Sequence, residues 1–578
     1  MAKNPTHNTS KTHIVDLVHV LEKLGVQRIM LSPGSRSAPL VIALERSEHI
    51  ECMTITDERC AAFFALGVAL ARGEAVGMVC TSGSAPLNYS PALAEAFYQH
   101  VPLIALTADR PNEWIDQGEN QSINQAGIYS NFIKASFQLP VEVHTQADRW
   151  YASRMVSQAI NTSLRAPKGP VHINIPLREP LYDLAPYDGA NLPKVIEEIY
   201  PTSSIDATSM LNEEELASLK GKRIAIVLGS HSPSNTLKSI IEQIASRQDV
   251  LIMHETLANV SCTSGIALVD PLVEYIHENK AYHLLPDLVI TMGNAVVSKK
   301  LKFLFRQQNT EHWHITPSPM YWDRFQSLTK VIVAKPSDFL HFLNNNLPES
   351  TCYTTGKSIC HSIERQCLAL RDDTINQVDE SIDYRVYQFL SKHVQPKTNI
   401  FWGNSTPIRY AGLFVWNSQQ HFGNRGVSGI DGQVSTAVGF ASQTDELCLC
   451  VTGDLAMLYD SNALWQINMP VNFRLLVIDN GGGNIFNIIP GPDKHPSVNH
   501  RFTSPHNVEI YQLLKALGLE SRISQANRDN SSLGADMEWL LDPSKEARGL
   551  VVQTDGQQSA SILKQYFAEV KKLQEKDH

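Results

Sequence analysis

Leu447–Asp454 reads LCLCVTGD, and Arg474–Gly483 reads RLLVIDNGGG. Each is a short, nearly continuous apolar run that ends in Asp, Asn or Gly. Such a run, bounded by turn residues, is the pattern of a strand buried on both faces, as parallel sheets require. About one helix and one strand separate Gly453-Asp454 from Asn480. A parallel α/β sheet is therefore predicted, with Asp454 and Asn480 delivered from C-terminal strand ends. Open α/β sheets bind ligands at that edge. Both side chains offer oxygen, the donor that hard cations take. Gly481, Gly482 and Gly483 let backbone groups approach a ligand closely. A Mg²⁺ held there could clamp a diphosphate.

The same alternation extends outward in both directions. RIML (Arg28–Leu31), AVGMVC (Ala75–Cys80), PLIALT (Pro102–Thr107) and PVHINIP (Pro170–Pro176) are strand-like. Ile14, Leu17, Val18, Leu21 and Leu24 recur at helical spacing before Gly25. These runs predict a first domain over residues 1–185. RIAIVLG (Arg223–Gly229), VLIMH (Val250–His254), DLVITMG (Asp287–Gly293) and VIVA (Val331–Ala334) predict a second over 186–370. A third, over 371–578, holds the opening pair and GLVVQTD (Gly549–Asp555). The Pro-dotted stretch Pro176–Pro201 is expected to link the first two without regular structure. A polar segment near 346–380 is expected to separate the last two. The fold class is α/β, with three parallel-sheet domains of one type.

Of 578 residues, 43 % are hydrophobic and 19 % charged, which excludes wholesale disorder. The formal net charge of −10 leaves no diffuse basic surface for nucleic acid or an anionic membrane. No apolar run approaches the ~18 residues of a membrane span. The opening MAKNPTHNTSKTH has no apolar core, so no secretory leader is expected and a cytoplasmic location is. Nine scattered cysteines read as reduced, buried thiols. The 21 histidines give no i, i+4 metal pair in a helix, and none is assigned to catalysis.

Thr56-Asp57-Glu58-Arg59 precedes a nearly all-apolar helix, CAAFFALGVALA. Alone, Glu58 reads as a first-turn carboxylate stabilised by the helix dipole. Taken with Gly453-Asp454 through Asn480, however, the chain resembles the thiamine diphosphate enzymes. The resemblance implies three doubly wound parallel-sheet domains: aminopyrimidine-binding, central, and diphosphate-binding. It implies a Mg²⁺ or Mn²⁺ ion held by Asp454, Asn480 and the backbone oxygen of Gly482. It puts Glu58 on N1′ of the aminopyrimidine, so that the cofactor serves as its own base. Ser405 and Gly453 are implied at the cofactor, with Ile430 beneath it. Two positions depart from the family pattern: Leu455 stands where Gly is frequent, and Asp479 where Asn is. Neither removes an oxygen ligand.

Ser32–Leu40 (SPGSRSAPL), Thr81–Ser84 (TSGS), Thr107–Pro111 (TADRP) and Asn120-Gln121 follow in order through the first domain. Gly403–Ser405, Asn424–Gly426 and Ser428–Gly432 (SGIDG) follow in the third. Together they resemble a menaquinone-pathway synthase family within the thiamine diphosphate enzymes. The implied reaction decarboxylates 2-oxoglutarate and adds the succinyl unit to isochorismate, a carboligation of the transketolase-like transferase class. Both substrates are dicarboxylates, so an acidic protein must gather cations locally. Arg36, Arg110, Arg409 and Arg425 stand in separate motif loops, and Lys299 adds one from the middle domain. Asn120 and Gln121 join them, and Ser35, Arg36 and Gln121 accompany Glu58 in the implied catalytic set. Ile485, Phe486 and Ile489 would line the apolar side. A homodimer or dimer of dimers is implied, with each site shared between subunits. Two readings stay open: another thiamine diphosphate-dependent decarboxylase or carboligase, and a non-catalytic relative that kept the fold.

Overall fold

The computed structural model describes residues 7–187, 189, 191–199, 210–260, 262–378, 381–417, 419–466, 468–526 and 531–575. They fall into two compact units. One comprises residues 1–201, 424–445 and 459–473; the other holds the remainder.

The first unit is built on six parallel strands. Their order is Glu51–Thr54, Arg28–Leu31, Val76–Cys80, Leu103–Asp109, Val171–Pro176, Ser136–Gln138. Leu103–Asp109 and Val171–Pro176 are buried throughout, their polar Thr107, His172 and Asn174 hydrogen-bonded to one another inside the sheet. The helix Glu58–Arg72 is capped by Asp57, whose side chain accepts from the Cys60 N–H, and closed by Gly73 at φ 69°. Every residue from Cys60 to Ala69 is buried. A helix apolar all round needs cover all round, and the helix Gln433–Ala441 supplies part of it. The two meet through reciprocal glycines. A Cβ on Gly67 would lie 2.0 Å from the Thr436 carbonyl oxygen, and one on Gly439 2.2 Å from that of Phe64. Backbones packed this closely exclude any larger residue.

One sequence expectation fails in this unit. Pro176–Pro201 is not wholly irregular: Leu184–Pro186 pairs antiparallel with His7–Thr9. A three-residue strand takes its order from its partner's backbone, which local sequence does not display. Residues 188, 190, 200 and 201 of that stretch lie outside the described residues.

The second unit carries two sheets. One has five parallel strands in the order Val250–His254, Ile224–Leu228, Leu288–Met292, Glu311–Thr316, Leu328–Val333. The other has six, in the order Gln420–Phe422, Asn399–Trp402, Cys448–Gly453, Phe473–Asp479, Arg548–Gln553, Glu520–Gln525. Its strand order repeats that of the first unit's sheet: the second strand lies outside the first, and the last two are exchanged. The molecule is thus an α/β protein with three parallel sheets, as the sequence predicts.

The polar stretch expected as a separator is instead a 23-residue helix, Thr354–Asn376. Its Cys360, Ile363 and Cys367 are fully buried. Its polar groups are buried and paired. Lys357 donates to the Ala245 and Arg247 carbonyls at 2.9 and 2.6 Å, and Glu364 accepts from the Ala267 and Leu268 amides at 2.7 and 2.9 Å. Paired polar side chains hide a core helix from a reading of hydropathy. None of the nine cysteines forms a disulfide, and seven are buried. Among the described residues no helix is long and apolar enough to cross a membrane.

Candidate active site

In the first unit, the C-terminal ends of four adjacent parallel strands carry the loops singled out above. Arg28–Leu31 leads to the SPGSRS turn, Glu51–Thr54 to Glu58, Val76–Cys80 to TSGS and Leu103–Asp109 to Arg110. A Cβ on Gly34 would lie 2.3 Å from that of Thr81, so the first and third loops abut. Arg36 is buried; it donates to the Leu177 carbonyl at 3.0 Å and pairs with Glu179 at 3.1 Å. Burial lowers its pKa first, and the neighbouring positive charge of Arg110 lowers it further. Arg110 in turn donates to the Asn120 carbonyl at 2.9 Å. Two cations held side by side in this way favour an anion between them. Gln121, at φ 55°, folds over TSGS: its carbonyl accepts from Ser82 Oγ at 2.8 Å. Ser35 is exposed on the same turn.

Glu58 is half-buried, and burial raises its carboxyl pKa, with Asp57 adding to the effect. Its neighbours are all held. Asp57 accepts from Asn462 at 2.6 Å, and Arg59 donates to the Tyr459 carbonyl at 2.5 Å while lying over its ring. Cys60 Sγ stands 3.7 Å from the buried carboxylate of Asp460. Sequence reading missed Asp460, and also Gln125. The latter is buried and accepts from the Gly83 N–H at 3.2 Å, while it donates to Asn174 at 2.9 Å. Asn174 donates to Asp109 at 2.8 Å. This network ties TSGS to TADRP. A buried Gln just past the Asn120-Gln121 motif carries no separate sequence signal. Arg425 and Ile430 stand on the loop 424–432 of this unit, with Ile430 exposed.

In the second unit, Asp454 opens a short helix at the end of Cys448–Gly453 and is buried. Its two oxygens accept from the Leu455 and Gly482 amides, each at 2.6 Å. Burial raises its pKa against those bonds. Asn480 donates its amide nitrogen to Asp383 at 3.0 Å, which fixes the opposite, oxygen side of the amide. Asp383 is buried and holds Thr554 at 2.5 Å as well; burial pushes its pKa up to about 6. No motif announces it. Gly482, at φ 131°, passes so close to the Thr503 carbonyl that a Cβ would lie 2.4 Å from it. Asp454, Asp479 and His506 bring ligand atoms within 4.8 Å of one another. Asp479 and His506 thus join the site although neither was assigned to it.

Beside these residues opens a cavity of about 820 Å³, lined among others by Asn480, Gly482, Asn484 and Thr554. Ile485, Phe486 and Ile489 follow the glycine loop and are half-buried. Past the neighbouring strand Asn399–Trp402, Ser405 stands at the N-cap of the helix Thr406–Ala411 with φ 74°, ψ −118°, a costly backbone for a residue with a side chain. Arg409, one turn on, lines a small cavity with Glu255, Asp270 and Ser298. Ser298 caps the helix that begins at the exposed Lys299.

Residues 14–128 match the family model described as the thiamine pyrophosphate enzyme N-terminal domain. Over the whole length, the chain is similar to proteins named 2-succinyl-5-enolpyruvyl-6-hydroxy-3-cyclohexene-1-carboxylate synthase. With that of Porphyromonas gingivalis it shares 35 % identity, covering 97 % of each chain. With that of Flavobacterium johnsoniae the figure is 36 %, over 96 % of this chain and 98 % of the relative. The chain belongs to this synthase family. It is therefore a thiamine diphosphate-dependent enzyme. Bacteroides thetaiotaomicron holds a further relative, 33 % identical over 97 % of this chain.

The residues fit the synthase family's cofactor. Buried Thr452 Oγ1 and Asn484 Nδ2 lack protein partners at the edge where a diphosphate would lie. Gly481 and Gly453 leave open space beside these residues. The carboxylate of Asp454 keeps lone pairs for a cation after accepting its two amides.

Proposed function

We propose that the chain decarboxylates 2-oxoglutarate and adds the succinyl unit to isochorismate, giving 2-succinyl-5-enolpyruvyl-6-hydroxy-3-cyclohexene-1-carboxylate for menaquinone biosynthesis. It is then a transferase of the transketolase-like carboligase class. The observation that carries this reading is the near-full-length kinship to synthases of that name, with Glu58 and Asp454 both in place. A non-catalytic relative would have no reason to keep both. Bound thiamine diphosphate supplies the electron sink that stabilises the carbanion left by loss of CO₂.

The chain's own residues hold, orient and exchange protons around it. Glu58 takes and returns the proton at N1′, and its burial suits a carboxyl that must do both. Asp454, Asn480 and the Gly482 carbonyl would hold Mg²⁺ or Mn²⁺, and Ser405, Gly453 and Ile430 would complete the cofactor site. Arg36, Arg110, Arg409, Arg425 and Lys299, with Asn120 and Gln121, bind the carboxylates, and Ser35 adds a hydroxyl. Ile485, Phe486 and Ile489 exclude water from the reacting carbon. Domains over 1–185, 186–370 and 371–578 are proposed, each with one of the parallel sheets. The working form is a cytoplasmic homodimer or dimer of dimers, with the site at the subunit interface.

Incubation with thiamine diphosphate, Mg²⁺ and 2-oxoglutarate, with and without isochorismate, tests this by following CO₂ and the adduct. Adduct formation is expected only with both substrates. CO₂ release from pyruvate matching that from 2-oxoglutarate, with no adduct, would favour a generic decarboxylase.

A further inference from the structure

Glu95 lies on the helix Ser90–Gln99 and is 1 % exposed. Its carboxylate accepts from the Gly426 N–H at 2.5 Å and the Val427 N–H at 2.8 Å. Gln99 Nε2 adds a third bond at 2.5 Å. Two consecutive amides turned onto one carboxylate form a backbone nest. A Cβ on Gly426 would lie 2.6 Å from the Glu95 carbonyl oxygen and 3.0 Å from its Oε1, so only glycine lets the loop close on the helix.

The loop is also tied at its base. Asn424 donates to the Gly432 carbonyl and to Thr436, both at 3.1 Å, and Gln433 donates to the Gly429 carbonyl at 2.9 Å. Between these ties stand Arg425 and Ile430. Packing alone gives no reason for a charge at position 95, because a buried carboxylate is costly unless its donors are supplied. Here the donors all come from the loop and from one helical neighbour.

We propose that Glu95 is a positioning residue for the reaction: it fixes the backbone of 425–430 and so holds Arg425 and Ile430 in their working places. This rests on the functional reading above, which puts Arg425 at substrate and Ile430 at cofactor.

The test uses the full chain with thiamine diphosphate and Mg²⁺, as wild type, Glu95→Gln, Glu95→Asp, Arg425→Ala and the Glu95→Gln/Arg425→Ala double variant. Gln can accept some of the amides but carries no charge. Its kcat/KM with 2-oxoglutarate and isochorismate should fall about tenfold or more, with partial recovery in Glu95→Asp. The double variant should lose no more than about threefold beyond Arg425→Ala, since both changes act on one element. Hydrogen exchange in 426–427 should speed about tenfold in Glu95→Gln, with the helix 58–72 unchanged. Fully additive losses, or unchanged kinetics beside faster exchange, would overturn the proposal.

If the wild type joins no substrates, the functional reading fails separately. Glu95 is then judged by exchange together with the thermal shift given by thiamine diphosphate: both must fall in Glu95→Gln for the proposal to stand. Should Glu95→Gln not fold, Gly426→Ala displaces the loop while keeping the carboxylate. Wild-type kinetics and thermal shift in a folded Gly426→Ala would overturn the proposal equally.

Discussion

Glu58→Gln keeps the side chain's shape but cannot give and take a proton. Thiamine diphosphate binding should survive, while deuterium exchange at the cofactor's C2 should fall by orders of magnitude. Unchanged exchange would remove Glu58 from the chemistry. Asp454→Ala should instead cost binding itself. Wild type should gain several degrees in Tm with thiamine diphosphate and Mg²⁺, as any ligand of the native state gives, and the variant almost none. Asp460 belongs to stability. It is fully buried, accepts from the Ser435 amide and hydroxyl at 2.7 and 2.8 Å, and burial pushes its pKa up to about 6. The folded carboxyl therefore holds its proton more tightly than the unfolded one. Its contribution is complete below about pH 4 and is lost as pH rises through 6, by an amount of order 3 kcal/mol. Urea midpoints from pH 4 to 7 should fall more steeply in wild type than in Asp460→Asn; parallel curves would refute the shift. At this scale the motif residues stand in runs that sequence singles out, and their supports do not. Asp383, Asp460 and Gln125 act through buried partners distant in the chain, and none stands in a run that marks it.

The contact between helices Glu58–Arg72 and Gln433–Ala441 depends on two hydrogen atoms. Gly67→Ala or Gly439→Ala would force backbones apart, because the added carbon meets a carbonyl oxygen rather than a flexible side chain. Overpacking of this kind costs about 1–3 kcal/mol, and here the upper end is expected. Chemical denaturation of each variant measures it, and wild-type midpoints would show that the helices slide freely. Strands buried on both faces were legible because their apolar runs are nearly continuous, as in Leu103–Asp109 and Cys448–Gly453. The helix Thr354–Asn376 was not, since Lys357, Glu364 and Arg371 are buried within a polar-looking segment. Nor was Leu184–Pro186, whose order comes from His7–Thr9.

Across the whole molecule, the cations proposed for substrate are spread along the chain, from Arg36 and Arg110 to Lys299, Arg409 and Arg425. Arg409→Ala and Arg425→Ala should each lower kcat/KM for the dicarboxylates by about ten- to a hundredfold. Pyruvate, if it is turned over, should lose less, because one carboxylate contact is already missing. Equal losses for mono- and dicarboxylates would argue for the generic decarboxylase. The strand order common to both six-stranded sheets was foreshadowed in sequence as a repeated domain type, but their interleaving was not. The first unit takes residues 424–445 and 459–473 from far down the chain. On the ribosome, the apolar flank of Glu58–Arg72 is made some 360 residues before the helix that covers it. Contacts of such sequence separation slow folding and leave sticky surface exposed in the interval. The nascent N-terminal half should therefore call on chaperones, and a chain truncated before residue 424 should aggregate rather than persist as a free-standing fold.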